Sequence, residues 1–242
     1  MTDFSGDFGL AARAHLRQVE EHNADAVETV AGRMLDAVRA DRLIHTAGAG
    51  HSLAMVMESF YRAGGLACVR PLLHPGLFPL FGAQVSTQIE RVPGLAATIV
   101  AQANAAEGDV AFVFSSSGVN AYPVEVAEAL SAAGAYVVAV SSRPHMDGAA
   151  PRVHAKLGDV ADIVLDTQVP PGDAVYDGAS GRTAPISSLV NVYLWDLLLT
   201  ALSRRADAAG VRLPLWQSSN IPGGDEANAA HFTRYRPAAP ML

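Results

Sequence analysis

Three serines and a glycine, Ser115-Ser116-Ser117-Gly118, cut off an apolar run that ends at Phe114, and Asn120 follows shortly after. A helix is expected from Pro123 to Ala133. A hydroxyl-rich turn between a strand and a helix start offers outward N–H groups, the positive end of the helix dipole and several hydroxyl donors. Together these can hold an anion. The same residue types also cap helices with no ligand involved. Upstream, Gly48-Ala49-Gly50-His51-Ser52 has a similar design, with glycines that allow close backbone approach. A phosphate-bearing ligand suits both turns. The chain's one lysine, Lys156, is in neither turn, which argues against an ATP-type loop. It lies in a polar, loop-like stretch, so Schiff-base chemistry is not expected either.

Groups able to move protons stand near these turns. Glu58 is on the helix expected to begin at Ser52, among Met55, Val56, Met57 and Phe60. Apolar company raises a carboxyl pKa and suits a general base, whereas a solvated helix face gives an ordinary glutamate. Glu90, just after Ser86-Thr87, is the rival base. His51 sits on the first turn and is expected to reach a ligand or to occupy a helix cap. His74 either completes the site or is a surface residue, and His45, inside the first strand, is expected to be structural. Ser187 and Ser188 open a long helix, as a cap or facing the ligand. No grouping of His, Cys, Asp and Glu has metal-site spacing, so neither a metal nor a cofactor is expected.

The glycines of the first turn also invite a dinucleotide-binding reading. It fits badly, because Leu53 stands where the third glycine belongs and Arg70 where an acid is expected. Arg70 leaves an NADP-dependent reductase as a competitor.

Composition narrows the field. The 242 residues are half apolar, carry a net charge of −7 and show no basic block, which disfavours nucleic-acid binding. The one cysteine, Cys68, fits a buried position and a reducing cytoplasm. No signal peptide or membrane-spanning run is expected, so the protein is expected to be cytoplasmic.

The elements that must position these residues alternate. Residues 10 to 40 have helical spacing, with a break expected near Asn23 or Gly32. Strands are expected at 43–47, 66–70, 110–114, 135–141 and 162–166. Helices are expected at 53–63, 85–106 (interrupted at Pro93-Gly94), 123–133 and 185–208. Residues 71–82 and 170–183 read as loops, the second able to cover the site. The strands are apolar on both faces, as buried parallel strands are. This predicts a doubly wound α/β three-layer sandwich with a five-stranded parallel sheet, ligand at the carboxyl ends of the strands. One domain over 1–242 is expected, with its core at about 35–205, an N-terminal helical extension at 8–40 and a tail at 209–242.

The paired turns resemble the SIS (sugar isomerase) domain family. Gly48, Gly50 and Ser52 match its first motif, and Ser115, Ser117, Gly118 and Asn120 its second. Segments such as Phe60–Gly65, Ser86–Arg91 and Ser219–Glu226 resemble stand-alone bacterial SIS proteins of poorly defined activity. The resemblance implies a phosphorylated sugar as ligand, with Gly50, Ser52, Ser115, Ser116, Ser117, Gly118 and Asn120 around it. Its relatives include phosphoheptose isomerase and N-acetylmuramic acid 6-phosphate etherase. It implies an aldose–ketose isomerase, with an etherase-type lyase or a non-catalytic sensor as alternatives. Glu58 or Glu90 would be the base and His51 the proton-handling partner. It further implies a homodimer or larger homo-oligomer, a tail bearing Asn220, Gly224 and Asp225 folded over the site of its own or a neighbouring subunit, and a candidate role for His231.

Overall fold

The computed structural model describes residues 2–3 and 6–242. The chain opens with α1 (Phe8–Arg39), capped by Asp7, whose Oδ1 accepts from the Leu10 N–H at 2.9 Å. No break occurs at Asn23 or Gly32. Asn23 is buried on the stripe of Val19, Val27, Val30 and Met34. Its amide donates to the Val19 and Asp166 carbonyls at 2.7 and 2.9 Å and accepts from the Asp166 N–H at 2.8 Å. A residue that usually weakens a helix interior here ties the helix to a sheet edge.

The alternation follows: β1 (Ile44–Gly48), α2 (Leu53–Ser59), β2 (Val69–Leu72), α3 (Ala83–Arg91), α4 (Leu95–Ala103), β3 (Val110–Phe114), α5 (Ala121–Ala132) and β4 (Tyr136–Ser141). Then come α6 (Arg143–Gly148), α7 (Leu157–Val160), β5 (Ile163–Asp166), β6 (Ala174–Gly178), β7 (Gly181–Pro185), α8 (Ser187–Ala208) and α9 (Gly224–Tyr235). Five strands form one parallel sheet in the order β2-β1-β3-β4-β5. On one face α1 and α2 pack on α8, and on the other α5 packs with α3, α4 and α7. The expected sandwich is present. Strand order reverses between β1 and β3, the position where such sheets bind ligands. Register sets Gly48 level with Phe114, so the two glycine- and serine-bearing turns leave the sheet side by side.

Departures from the expected elements have local causes. α2 stops at Ser59 because Phe60 is extended and Tyr61 adopts φ 46°. The Tyr61 ring packs on Trp216 and Phe232, with centroids at 5.0 and 5.5 Å. Strand two starts late because Leu66 bridges Leu215 instead, flanked by Ala67 N–H to Pro214 O at 2.7 Å. The interruption at Pro93-Gly94 occurs as expected, with Gly94 at φ 100°. Residues 170–183 are no plain loop, since β6 and β7 pair as an antiparallel hairpin. Arg70 is buried and donates to the carbonyls of Gln102 and Ala238, so it ties the tail to the sheet rather than offering a free cation to a nucleotide. Among the described residues no helix is long and apolar enough to cross a membrane.

Candidate active site

The first turn is shaped by two different demands on glycine. A Cβ at Gly48 would meet Ser52 backbone and side-chain atoms at 3.1 Å, so close approach fixes that position. Gly50 has open space around it but sits at φ 58°, a conformation that side chains disfavour. The chain can then turn at once into α2, leaving His51 exposed and Ser52 half-buried.

The serine turn is more tightly held. Ser115 N–H continues the sheet ladder to Val140 O at 3.1 Å, and Ser115 Oγ accepts from the Gly118 N–H at 3.2 Å. Gly118 has φ 60°, and a Cβ there would meet Met146 Sδ at 2.8 Å and Leu157 Cβ at 3.2 Å. Its carbonyl accepts from the Leu157 N–H at 2.8 Å. The N–H groups of Ser116 and Ser117 find no backbone or side-chain acceptor among the described residues. A turn pinned on one side and unsatisfied on the other is prepared for an incoming acceptor.

Both turns open on one cavity of about 210 Å³, whose lining includes His51, Ser52, Ser115, Ser116, Ser117 and Asn120. Glu90, from α3, reaches the same cavity. Asn120 Nδ2 donates to Glu90 Oε1 at 2.7 Å while Asn120 Oδ1 accepts from Arg152 Nη1. Burial pushes the Glu90 carboxyl above its ordinary value. The Asn120 hydrogen bond and the charges of Arg91 and Arg152 offset this only in part. Asn120 is therefore engaged within the protein and links the serine turn to the carboxylate.

Glu58 lies elsewhere. It opens on a different cavity, beside Arg62, Gly64, Trp195 and Asp196, and its carboxylate is paired with Arg62 at 2.9 and 3.2 Å. Of its expected apolar company Met57 is exposed, while Trp195 and Leu199 share its cavity. His74 Nδ1 accepts from the Gly76 N–H at 3.1 Å and shapes its own turn. His45 is fully buried, Nε2 at 3.0 Å from Asp109 Oδ2, at the opposite end of β1 from the cavity. His231 lines a separate cavity of about 760 Å³ between α8, α9 and the segment before α9. Neither His231 nor Asn220, Gly224 or Asp225 lines the serine-turn cavity.

The SIS domain profile matches residues 7–142, more than half the chain. The chain belongs to the SIS domain family. UPF0309 proteins of Brucella canis and Brucella melitensis are each 33% identical to this SIS protein over 244 residues, covering 100% of both chains. A phosphoheptose isomerase from Neisseria gonorrhoeae superposes with TM-score 0.54 at 18% identity, covering 81% of this chain and 95% of its own. One from Francisella tularensis gives TM-score 0.52 at 15% identity, with the same coverages. These two structures share the fold.

Three further residues of this SIS protein line the cavity and escaped the sequence reading. His145, in the first turn of α6, has a buried Nδ1 with no hydrogen-bond partner, and burial lowers its pKa against the pull of Asp173. Asp173 opens the hairpin at φ 65°. It accepts from the Ile186 and Ser187 N–H groups at 3.0 and 2.8 Å and from Ser187 Oγ at 2.7 Å. Ser187 is thus a capped helix start, while Ser188 and Asn191 complete the wall. The signal for His145 was available: it follows Ser141-Ser142, at the end of the strand beside β3. Asp173 lies in the 170–183 segment expected to be able to cover the site, but nothing local singled it out, since its bonds to the start of α8 are made only by the fold. Among the described residues, no group of three or more His, Cys, Asp or Glu side chains is arranged to hold a metal ion.

Proposed function

We propose that this SIS protein binds a phosphorylated sugar in the serine-turn cavity and interconverts its aldose and ketose forms. The N–H groups of Ser116 and Ser117, with the hydroxyls of Ser52, Ser115 and Ser117, receive the phosphate at the start of α5. Glu90, as carboxylate, takes the proton from C2 of the open-chain aldose. The C2–H electron pair forms the C1–C2 double bond of an enediol, and the aldehyde oxygen gains a proton. Glu90 then returns its proton to C1 as the C2 hydroxyl becomes the ketone. His51, exposed at the cavity edge, moves the proton between the two oxygens. The observation that carries the reading is a half-buried carboxyl with an upward-shifted pKa opening on the same cavity as the serine turn. The phosphoheptose isomerases that share the fold support the choice of reaction. Glu90 replaces Glu58 as the base, since Glu58 is paired with Arg62 in another cavity.

The reading includes a homodimer. Leu80, Phe81 and Val85 are exposed on α3 and the turn before it, the element that carries Glu90, and a second copy would cover them. The test is turnover: wild type and Glu90→Gln are incubated with aldose phosphates of five to seven carbons, and ketose formation and solvent deuterium uptake at C1 or C2 are followed by NMR. Conversion by wild type that Glu90→Gln lacks supports the reading. Conversion unaffected by Glu90→Gln removes Glu90 from the role, and no conversion across the panel removes the isomerase.

A further inference from the structure

Asn191 is the one asparagine of α8, where it sits one helical turn after Ser187. It is only 5% exposed, it lines the serine-turn cavity, and its Oδ1 is buried with no hydrogen-bond partner. An unmet buried acceptor is costly, and replacing it by an apolar group of similar size is neutral or stabilising in a site of purely structural purpose. Two other buried asparagines show what a structural asparagine looks like here. Asn23 is satisfied on both amide atoms by backbone, and so is Asn228, which exchanges bonds with the Gln217 N–H and carbonyl at 2.9 Å each.

We infer that Asn191 is the residue that reads the sugar rather than the phosphate, accepting a hydrogen bond from a hydroxyl or amide N–H of the ligand. A phosphate dianion has no proton to give, so it cannot meet this acceptor. It belongs instead at the N–H groups of Ser116 and Ser117, which line the same cavity. The ligand is therefore held at two chemically distinct points, an anion at the turn after β3 and a donor at α8. This inference rests on the phosphosugar reading and adds the group that discriminates among phosphate-bearing ligands.

The experiment compares wild type, Asn191→Leu and Asn191→Ala by calorimetric titration with two probes: inorganic phosphate, and the best-binding sugar phosphate of a five-to-seven-carbon panel. Melting temperatures are measured without ligand. Asn191→Leu is expected to bind the sugar phosphate about 10- to 100-fold more weakly, the consequence of leaving a ligand donor unpaired, with phosphate affinity unchanged. Its ligand-free melting temperature is expected to equal or exceed that of wild type. Asn191→Ala, which opens a small void, is expected to melt lower yet show the same selective loss, and it decides the binding comparison should the leucine variant not fold. Equal sugar-phosphate affinity in wild type and variants overturns the inference while the phosphosugar reading stands. A matched loss for both probes overturns it as well. Wild type that binds neither probe overturns both.

Discussion

β1 and β3 carry buried polar groups at both ends, and the two ends treat them differently. At the amino end, Asp109 accepts from His45 Nε2 at 3.0 Å and from the Leu43 and Ala106 N–H groups at 3.0 and 2.9 Å. Every bond there is made by the protein for the protein, save that His45 Nδ1 is left over. At the carboxyl end, the N–H groups of Ser116 and Ser117, the Nδ1 of His145 and the Oδ1 of Asn191 have no partners among the described residues, and all four residues line one cavity. Buried polar groups are ordinarily satisfied, so a cluster of exceptions at one end of a sheet whose other end leaves His45 Nδ1 over points to a ligand. The carboxylates differ in the same sense. Asp109 is held below its ordinary value because three hydrogen bonds outweigh its burial, and Glu90 is pushed up because burial outweighs its bonds.

Several substitutions would sharpen or break this contrast. The largest effect is expected at the carboxyl end. Glu90→Gln should lower turnover by roughly a hundred- to ten-thousand-fold, the range of general-base contributions, while changing sugar-phosphate affinity little. Steady-state kinetics beside titration calorimetry separates the two. At the amino end, Asp109→Ala should destabilise the fold by about 3–5 kcal/mol, as removal of one member of a buried pair does. Urea unfolding measures that loss, and the variant that remains folded at low temperature should still bind ligand. If Asp109→Ala instead spares stability and abolishes binding, the two ends are not separate.

The pH dependence should run in opposite directions. Asp109 has a folded-state pKa below its unfolded one, so its contribution is complete above about pH 4, near the ordinary aspartate value, and is lost as pH falls through the folded pKa. Glu90 has a folded-state pKa above its unfolded one. Its favourable contribution is present below about pH 4.3, the ordinary glutamate value, and is lost as pH rises through the folded pKa. Unfolding curves across pH for Asp109→Asn and Glu90→Gln should flatten opposite slopes of the wild-type profile. The acid limb of kcat/KM should likewise lie above the ordinary glutamate range. The smallest effect is expected at Glu58. Its pair with the largely exposed Arg62 is worth about 0–1 kcal/mol, so Glu58→Gln should leave stability and turnover close to wild type. A collapse of turnover in Glu58→Gln would restore Glu58 as the base.

How much of this could be read from sequence follows from the range of the interactions. The strands were legible because runs such as β3 and most of β4 are apolar on both faces, and the turns because glycine and serine mark strand ends within a few residues. The strand order, and with it the switch point between β1 and β3, is set by sheet pairing and not by either turn. Element ends were legible only where a local residue sets them, as at Pro93-Gly94. The early end of α2 and the late start of β2 depend on Trp216, Leu215 and Phe232, far along the chain. The choice between Glu58 and Glu90 was hidden for a similar reason. Glu58 has apolar sequence neighbours, but a helix turns them away and presents it to Arg62. Glu90 sits in a polar segment, yet the fold carries it against Asn120. Asn191 is one of several polar residues in α8, and only its buried, unpaired oxygen on a cavity-lining residue sets it apart.

The most direct test of the central claim is a thermal-shift titration of wild type and the Ser115→Ala/Ser117→Ala double variant. Each is measured with sugar phosphates of five to seven carbons, with the same sugars lacking phosphate, and with NADP(H). The account predicts a rise in melting temperature with a sugar phosphate but not its dephosphorylated form. It predicts loss of that rise in the double variant, since each charge-assisted hydrogen bond removed is worth about 1.5–3 kcal/mol. An unchanged rise in the double variant, or a rise with NADP(H) alone, would contradict it.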